Sequence, residues 1–469
     1  MEDVYIIGVH TTPFGKHLNL GIKDLTAMTV TGGLADAGIG KEAIQAAWFS
    51  NSGWGDQRGQ ACIRGQVALR PMGIDTIPIT NVENACASGS TALHHAWMGV
   101  ASGLYDIALA VGAEKLYSSN KAAIFAGFLA GIDIENVIEI SRGLSGFSLD
   151  EEDRNIMEAF QRKYPPNGNG KQAKGGKGLK ASVKEIRDQL VVAISLGEKL
   201  GYSTVKELRK LTMAADHSPF MDIYSYAARK HMRKYGTTVE QLALIASKNH
   251  HNSTLNANAQ YRFEVPIEKV LRDRIVSFPL TRAMCAPIGD GAACAVVCSR
   301  KIVRQLGVSS RAVRIRASIL GSGKAYEENS GEPDIGERLA RKAYEVAGVG
   351  PSEMHMAEVH DATAFGELHQ AENLGFCPRG EGGRFAESGA TRLDGSLPIN
   401  PSGGLTSRGH PIGASGLAQI HELTTQLRRE AGQRQIAKAV LAIAENGGGA
   451  LGNEEAAMCM HILEAPSKS

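Results

Sequence analysis

The chain has 469 residues, more than one hydrophobic core usually organises, so we expect two compact halves or one core with an insertion. Hydrophobic residues make up 43% of the sequence and charged residues 21%, which excludes a chain that is disordered throughout. The formal charge of +2 excludes a general attraction to nucleic acid or anionic membranes, so any anionic ligand must be held by local contacts.

Cysteine usage and the start of the chain bear on the compartment. The segment MEDVYIIGVH is strand-like rather than a charged and then apolar signal segment. No run of about 18 apolar residues occurs, so no membrane span is expected. The cysteines are odd in number and lack CxxC pairs, which argues against a disulfide framework and a zinc site within the chain: Cys62, Cys86, Cys285, Cys294, Cys298, Cys377 and Cys459. We predict a cytoplasmic protein with reduced thiols.

A helix, turn and strand pattern occurs twice, about 310 positions apart. Residues 34–40 read LADAGIG and residues 344–350 read YEVAGVG. Each string closes a helix-like stretch, at 25–37 and 335–347, with a glycine suited to a left-handed helix end. A probable strand follows in both places, so the pattern predicts an internal repeat.

A second pair of strings repeats in the same order. Residues 86–89 read CASG and residues 413–416 read GASG, and each opens a helix-like run. Short apolar runs follow these helices, at 107–111 and 440–444. Apolar runs bounded by glycine and separated by helices are typical of strands buried on both faces of an α/β sheet. We therefore predict two pseudo-symmetric α/β halves.

Residues 148–218 differ in composition from both halves. They contain the Gly/Lys-rich string NGNGKQAKGGKG, with a predicted exposed tip at 167–178. This segment is either a solvated loop or a lid or partner-docking element. The predicted division assigns residues 1–118 and 240–300 to the N-terminal half, 119–239 to an inserted loop subdomain, and 301–469 to the C-terminal half.

Cys86 is the candidate nucleophile. It follows an apolar strand and precedes a helix predicted to begin near Ser88. Orphan amides and the helix dipole at such a position favour thiolate, so we expect a lowered pKa. The small neighbours Ala85, Ala87 and Gly89 leave room for a substrate.

Two histidines are candidate acid–base groups. His410 lies in the glycine-rich loop NPSGGLTSRGHPIGASG, and if the halves are pseudo-symmetric, Gly413 is the counterpart of Cys86. His410 would then lie on the mirror-related turn, where it could take the Cys86 proton. His360 ends a predicted strand at 356–360, begins HDATAF and matches Ser50 by the repeat offset. Ligands gather at such strand ends, which makes His360 a candidate oxyanion or acid–base group.

The string ENGGGALG at 445–452 is predicted to follow the last buried strand. Its backbone amides could face a carbonyl oxygen, or its glycines could serve tight turns. Neither a GxGxxG nor a Walker motif occurs, so nucleotide hydrolysis is not supported.

With Cys86, GGLTSRGHPIGASG and the late GGG in this order, the chain resembles thiolases, above all the sterol-carrier-protein-x-like branch. The likeness runs from about residue 5 to 463 outside the insertion, and HDATAF matches the His-Asp pair of that branch. The resemblance implies an α/β protein with a five-layer αβαβα fold, a homodimer and ping-pong chemistry. Cys86 would hold an acyl group, His410 would activate Cys86, and His360 would polarise the thioester or enolate oxygen.

The resemblance also implies the ligands. Coenzyme A would be a co-substrate, with no permanently bound cofactor and no metal. We expect it near four glycines of the matched motifs: Gly404, Gly413, Gly448 and Gly449.

One departure from the family pattern concerns proton transfer. Thiolases usually supply a second cysteine before the late glycines or just after the His-Asp pair, and here those places hold Glu445 and Ala362. The second proton must therefore come from Glu445, His410 or water, and simple acetoacetyl-CoA thiolysis is not expected.

Relatives with such changes often work with a small zinc-ribbon/OB-fold partner. They act on unusual acyl-CoA substrates, including steroid side chains and aromatic 3-oxoacyl-CoA such as benzoylsuccinyl-CoA. Three functions remain open: thiolysis or its Claisen reverse, retro-aldol cleavage of a hydroxyacyl-CoA, and non-catalytic binding of acyl-CoA or lipid. Cys86 in its helix-start position favours the first.

Overall fold

The computed structural model describes residues 2–118, 124, 128–133, 149–166, 217–325, 331–452 and 454–466. The predicted exposed tip at 167–178 lies outside these residues. Within them, no helix combines the length and the apolar character that a membrane crossing requires.

The strands are numbered in chain order. They are β1 (Val4–Thr11), β2 (Ala46–Ser50), β3 (Ile79–Val82), β4 (Ile107–Lys115), β5 (Ile275–Ser277), β6 (Leu280–Thr281), β7 (Asp290–Ser299), β8 (Val313–Ser322), β9 (Met356–Glu358), β10 (Leu441–Gly448) and β11 (Ala457–Glu464).

The α-helices are numbered in the same way. They are α1 (Ile22–Ala37), α2 (Trp54–Arg58), α3 (Arg64–Leu69), α4 (Ser88–Ala101), α5 (Glu151–Lys163), α6 (Pro219–Tyr235), α7 (Val239–Thr254), α8 (Ile267–Leu271), α9 (Arg300–Leu306), α10 (Ile335–Ala347), α11 (Ala364–Asn373), α12 (Gly382–Glu387) and α13 (Ile412–Leu427).

Nine strands form one sheet in the order β3-β2-β4-β7-β1-β8-β11-β10-β9. β2 and β4 are parallel neighbours in the first half, as β9 and β10 are in the second. β7 lies antiparallel between β4 and β1, and β11 lies antiparallel between β10 and β8. A parallel bridge from Ala357 to Ile399 stands beside β9 where β3 stands beside β2. The predicted repeat is thereby confirmed.

The two halves are joined edge to edge. Residue pairs Tyr5–Arg314 and Ile6–Val313 connect β1 to β8, which makes the sheet continuous. β4 is buried along its whole length, as the apolar run at 107–111 predicted for a strand covered on both faces.

Helices cover the sheet in layers. α4 and α13 contact each other and strands of both halves, so they form the central layer. α1 covers the outer face of β1, β4 and β7, and α10 covers the outer face of β8 and β11. The two halves of the sheet therefore lie on either side of α4 and α13 and form separate layers. The resulting order of helix, half-sheet, helix, half-sheet and helix is the predicted five-layer αβαβα fold.

The two outer helices end as the glycine pattern predicted. α1 stops at Gly38 with φ +69° and α10 stops at Gly348 with φ +64°, both left-handed. α10 also begins with a side-chain cap, because Asp334 accepts the N–H of Glu337 at 3.1 Å.

A separate hydrophobic core is formed mainly by helices. It joins Phe160 of α5, Ala228 of α6, Leu242 of α7 and Leu368 of α11. α7, which the predicted division places in the N-terminal half, thus packs beside helices of the C-terminal half. The division itself stays a prediction.

Candidate active site

Cys86 lies in a tight turn between β3 and α4. Ala85 has φ +47°, a left-handed conformation that residues with a side chain adopt at a cost. Ser88 holds the turn, because its Oγ accepts the N–H of Asn84 at 2.9 Å and donates to the carbonyl of Ala85 at 2.6 Å. α4 has no side-chain cap, and its first N–H, that of Ser88, donates to the carbonyl of Ala85 at 3.2 Å.

The thiol itself is less acidic than the sequence predicts. Burial raises the pKa of Cys86 to about 12, and the charges of Glu83 and Glu114 act in the same direction. The backbone N–H groups of Cys86 and Gly449 lower the pKa by a smaller amount. The expected thiolate at the helix start is therefore wrong for the free site, since removal from water outweighs the two N–H groups.

His410 is placed to accept the thiol proton. Its Nε2 lies 3.3 Å from Cys86 Sγ, and its Nδ1 lies 2.7 Å from Ser415 Oγ. Ser415 donates its one hydroxyl proton to the carbonyl of Pro411 at 3.0 Å, so it accepts from Nδ1–H. The lone pair of His410 Nε2 therefore faces the thiol.

The thiol and the imidazole form an uncharged pair. Burial lowers the pKa of His410 well below its ordinary value, and His360 and Arg408 act in the same direction. At neutral pH Cys86 thus keeps its proton and His410 is a free base. Proton transfer to His410 must accompany the attack of sulfur on a carbonyl.

His360 completes the cluster as a hydrogen-bond donor. Asn446 Nδ2 donates to His360 Nδ1 at 3.0 Å, so the ring proton is on Nε2. The sulfur of Cys86 and one ring nitrogen each of His360 and His410 all lie within 4.8 Å of one another. Burial lowers the pKa of His360 to about 4, which keeps the ring neutral. An N–H at this place can stabilise negative charge on a substrate thioester or enolate oxygen.

Asp361 positions the loop that carries His410. Its carboxylate accepts the N–H of Leu405 at 2.6 Å and the hydroxyl of Thr406 at 2.8 Å. These residues belong to a π-helical turn, Gly404–Arg408, a rare conformation that often occurs at functional sites. The Asp of the predicted His-Asp pair thus acts through the loop.

Gly404 and Gly413 have packing reasons to be glycine. Gly404 has φ +60°, and a Cβ there would lie 2.2 Å from Asp361 Oδ2. A Cβ on Gly413 would lie 2.9 Å from Asn51 Cα. The structure therefore accounts for both residues through protein contacts, and their role toward coenzyme A stays a prediction.

The late glycines differ from each other. Residues 445–448 belong to β10, and β11 follows them, so the prediction that they come after the last buried strand is wrong. A Cβ on Gly448 would lie 2.4 Å from Ala87 N, so close packing of strand and helix start requires glycine. Gly449 follows the strand, and its N–H faces the sulfur of Cys86. Contact of these two glycines with coenzyme A stays a prediction.

Three residues around the two histidines were not predicted from the sequence. Asn446 lies inside the ENGGG string and Ser415 inside GASG, so both were within reach of a closer examination of those motifs. Tyr224 comes from α6, in the predicted insertion, and burial raises the pKa of its hydroxyl, with charges on Glu455 and Cys86 adding to this effect. No motif marks Tyr224.

Comparison with known families gives the class of protein that this fold and site define. The description "Thiolase, N-terminal domain" matches residues 4–141, and "Thiolase C-terminal domain-like" matches residues 334–461. The second match contains His360 and His410, and the first contains Cys86.

Three relatives and one solved structure show which thiolases the chain is similar to. An acetyl-CoA acetyltransferase of Methanothermobacter thermautotrophicus is 32% identical over 96% of this chain and 97% of its own length. Human sterol carrier protein 2 is 32% identical over 96% of this chain and 70% of its own length. The benzoylsuccinyl-CoA thiolase subunit BbsB of Thauera aromatica is 30% identical, with coverages of 92% and 91%.

The solved structure of an "Ltp2-ChsH2(DUF35) aldolase" is similar with a TM-score of 0.68 over 99% of this chain and 98% of its own. At 18% identity this likeness supports the fold alone. With the family matches and these relatives, the chain belongs to the thiolase family and is an acyltransferase of the thiolase type. The resemblance to the sterol-carrier-protein branch is confirmed at the level of these relatives.

Proposed function

We propose that the protein cleaves or forms the carbon–carbon bond of a 3-oxoacyl-CoA through an acyl group held on Cys86. The observation that carries this proposal is the 3.3 Å contact from His410 Nε2 to Cys86 Sγ, with His360 close to both. Nucleophile, base and oxyanion donor are thus grouped at one helix start.

In the cleavage direction, sulfur of Cys86 attacks the 3-carbonyl while His410 Nε2 takes the thiol proton. The 3-carbonyl oxygen becomes negative and accepts the backbone N–H groups of Cys86 and Gly449. The Nε2–H of His360 donates to the thioester oxygen next to C2, where negative charge develops as the bond breaks. The bond between C2 and C3 then breaks, its electron pair moves to C2, and C2 takes up a proton. The acyl group remains on Cys86 as a thioester.

In the second half of the reaction, the coenzyme A thiol loses its proton and attacks the acyl group on Cys86. The backbone N–H groups of Cys86 and Gly449 face the sulfur and can donate to the oxyanion formed at the thioester carbon. The leaving sulfur of Cys86 regains a proton from His410. The reaction needs no resident cofactor in this scheme, since coenzyme A enters as substrate.

The substrate we propose is an unusual acyl-CoA with an aromatic, branched or steroid-derived acyl group, such as benzoylsuccinyl-CoA. The similarity to BbsB supports this, as does the absence of a cysteine at Ala362 and Glu445. A homodimer and a zinc-ribbon/OB-fold partner are part of the proposal. BbsB is named as a subunit, and the name of the similar solved structure includes DUF35.

Intact-protein mass spectrometry tests the proposal. The protein is incubated with acetyl-CoA, acetoacetyl-CoA, benzoyl-CoA and benzoylsuccinyl-CoA. We expect an acyl adduct that maps to Cys86, is absent in Cys86→Ser and is discharged by free coenzyme A. Cys62→Ser is the matched control, because Cys62 is exposed and distant from the motifs.

The substrate class is tested by the same experiment. A larger adduct yield with the aromatic thioesters than with acetoacetyl-CoA supports it, and the reverse order contradicts it. If no thioester gives an adduct, even with a DUF35-type partner added, the acyl-Cys86 proposal is wrong. Retro-aldol cleavage or simple binding would then be the better explanation.

A further inference from the structure

The sulfur of Cys86 and one ring nitrogen each of His360 and His410 are spaced like the ligands of a single small cation. The three atoms lie within 4.8 Å of one another, and Cys86 Sγ is 3.3 Å from His410 Nε2. In a tetrahedral zinc site, bonds of about 2.3 Å to sulfur and about 2.0 Å to nitrogen place neighbouring ligand atoms roughly 3.3–3.6 Å apart. Small side-chain shifts would therefore bring the three atoms to the spacing that zinc requires.

The orientation of the two rings also suits a shared ion. The centroids of His360 and His410 are 5.2 Å apart, and the ring planes make an angle of 79°. Because the rings are not stacked, their nitrogens can converge on one point from different directions. Cys86 and His410 are half-buried, whereas His360 is buried, so an ion from solvent would enter beside the first two residues.

His410 is ready to bind a cation without a change of proton position. Its Nδ1–H donates to Ser415 Oγ at 2.7 Å, and that hydroxyl donates to the carbonyl of Pro411 at 3.0 Å. The lone pair of Nε2 therefore faces Cys86. A hydrogen bond from the second ring nitrogen is the usual way in which proteins fix the tautomer and orientation of a metal-binding histidine.

His360 needs one local rearrangement. Its Nδ1 accepts from Asn446 Nδ2 at 3.0 Å, so Nε2 is the nitrogen left for the cluster, and it carries the proton. Asn446 Oδ1 is buried and has no hydrogen-bond partner among the described residues. Half a turn of the amide exchanges its oxygen and nitrogen, so that Oδ1 accepts Nδ1–H and the Nε2 lone pair becomes free.

The surroundings of Asn446 can accept the turned amide. A Cβ on Gly416 would clash with both Asn446 Oδ1 and Ser90 Oγ, so these two atoms border the same small space. Ser90 Oγ is also buried without a partner in the described part of the chain. After the half turn, Asn446 Nδ2 would point toward an oxygen that lacks a donor.

The ligand set indicates which ion would bind. One thiolate and two imidazoles are ligands that Zn²⁺ prefers, whereas Mg²⁺ and Ca²⁺ prefer oxygen. Three protein ligands leave a fourth position for water. Arg408, the cation in the loop that carries His410, is paired with Glu358 at 3.2 Å, so its positive charge is compensated.

We propose that Cys86, His360 and His410 together bind one zinc ion, and that the bound ion reversibly inhibits the protein. The S–H bond of Cys86 breaks, a sulfur–zinc bond forms, and the thiol proton passes to water. The proton of His360 moves from Nε2 to Nδ1 by way of water, and His410 gives up none. The ion occupies nucleophile and base at once, so neither is available for acyl transfer.

Zinc chloride is the probe in a test that contains no acyl-CoA. The protein is treated with EDTA, desalted and titrated with zinc in a calorimeter. The rate at which iodoacetamide alkylates Cys86 is followed by mass spectrometry at each zinc concentration. We expect one ion per chain, loss of Cys86 alkylation over the same concentration range, and full recovery when EDTA is added. Cobalt(II) in place of zinc should give the near-ultraviolet absorption of a cobalt–thiolate bond.

Four variants test the ligands and the amide. Cys86→Ser, His360→Ala and His410→Ala should each bind zinc at least about 100-fold more weakly, since loss of a ligand costs no less than loss of a residue behind it. Asn446→Asp should bind zinc about tenfold more tightly, because a carboxylate always accepts Nδ1–H and keeps the Nε2 lone pair of His360 free. A gain in affinity cannot result from unfolding.

Matched controls remove the same kinds of side chain elsewhere. Cys62 is exposed, and His251 is exposed and paired with Glu264 at 2.7 Å. Cys62→Ser and His251→Ala should keep the wild-type zinc affinity.

Unchanged zinc affinity in Cys86→Ser would show that the ion binds elsewhere and would overturn the proposal. Unchanged affinity in His360→Ala would contradict a three-residue site, and so would zinc binding that leaves Cys86 alkylation unaltered. Zinc binding depends only on the three side chains, whereas the proposed function depends on an acyl adduct. Failure of one is therefore distinguishable from failure of the other.

Discussion

The two central helices begin at corresponding turns, and only one of these turns is open. At the start of α13, Ser50 Oγ donates to the carbonyl of Gly413 at 2.6 Å, and Gly413 N–H donates to Glu114 at 3.0 Å. At the start of α4, no such hydrogen bonds to the backbone of Cys86 occur within the described residues, although Gly448 packs closely against this turn. There His360, the counterpart of Ser50, keeps its ring N–H for a ligand.

Side-chain size at the neighbouring strand explains the difference. In β4, a Cβ on Gly112 would lie 2.0 Å from the carbonyl of Gly413, so helix and strand touch through backbone. At the matching level of β10 stands Asn446, which binds His360. Both helix starts thus pack against a glycine of the neighbouring strand, Gly112 at α13 and Gly448 at α4, but only at α4 does a polar side chain of that strand, Asn446, hold a histidine ring beside the turn.

The two buried carboxyl groups follow the same contrast. Glu114 accepts hydrogen bonds from Asn51 Nδ2 and the N–H groups of Ser52, Gly53 and Gly413. Glu445 accepts one, from His360, and leaves Oε1 unpartnered among the described residues. A carboxylate with four donors serves structure, whereas a carboxyl with one donor keeps capacity for proton transfer.

The largest difference between the turns should appear in the reaction rate at Cys86. His410→Ala should slow alkylation or acylation of Cys86 by about 10²–10⁴-fold, because the thiol then has no base. Ser50→Ala, at the closed turn, should change this rate by less than about threefold and lower the free energy of unfolding by about 1–3 kcal/mol. Stopped-flow alkylation and urea unfolding measure the two effects, and equal rate losses would remove the distinction.

The second test adds a methyl group to the closed turn. Gly112→Ala should lower the free energy of unfolding by about 3 kcal/mol or prevent folding, since both groups in the clash belong to rigid, buried elements. Gly15→Ala is the control, because no atom lies within 4 Å of a Cβ there. Urea unfolding measures both, and a Gly112→Ala variant as stable as the control would show that helix and strand can separate.

The third test compares the carboxyl groups through pH. The folded pKa of Glu445, about 8, is above its ordinary value of 4.5, so this group costs stability progressively as pH rises from 4.5 to 8. The free energy of unfolding of Glu445→Gln, relative to that of the wild type, should therefore rise by at least about 1 kcal/mol between pH 5 and pH 8.

Glu114→Gln should instead lose about 1–3 kcal/mol at pH 5, because an amide satisfies fewer of the four donors. Burial raises the pKa of Glu114 as well, so this loss should become smaller as pH rises. Urea unfolding at pH 5, 6.5 and 8 measures both variants. A loss of stability in Glu445→Gln at pH 8 would indicate that its carboxylate is as well satisfied as that of Glu114.

The smallest expected effect concerns helix starts outside the site. α7 is capped by Thr238, which accepts the N–H of Gln241 at 3.2 Å, whereas α4 has no side-chain cap beside Cys86. Thr238→Ala should lower the free energy of unfolding by about 1 kcal/mol and leave Cys86 alkylation unchanged. A changed alkylation rate would mean that the α7 core controls the site.

The element pattern was accessible from the sequence because it depends on local periodicity and glycine position. The repeat at 34–40 and 344–350 predicted matching helices, and it placed His360 opposite Ser50. The motif around His410 predicted a base for Cys86, which the 3.3 Å contact now supports. The prediction that residues 445–448 follow the last buried strand was wrong, because glycines within a strand resemble a turn when only the sequence is considered.

The sequence by itself thus determined the two-fold α/β architecture and the motifs that carry Cys86, His360 and His410. Only the tertiary structure decided the high pKa of the thiol and the proton positions on both imidazoles. Those properties depend on burial and on hydrogen bonds between residues far apart in the chain. Periodicity and motif spacing describe neighbours along the chain, so such long-range contacts are set only when the layers pack.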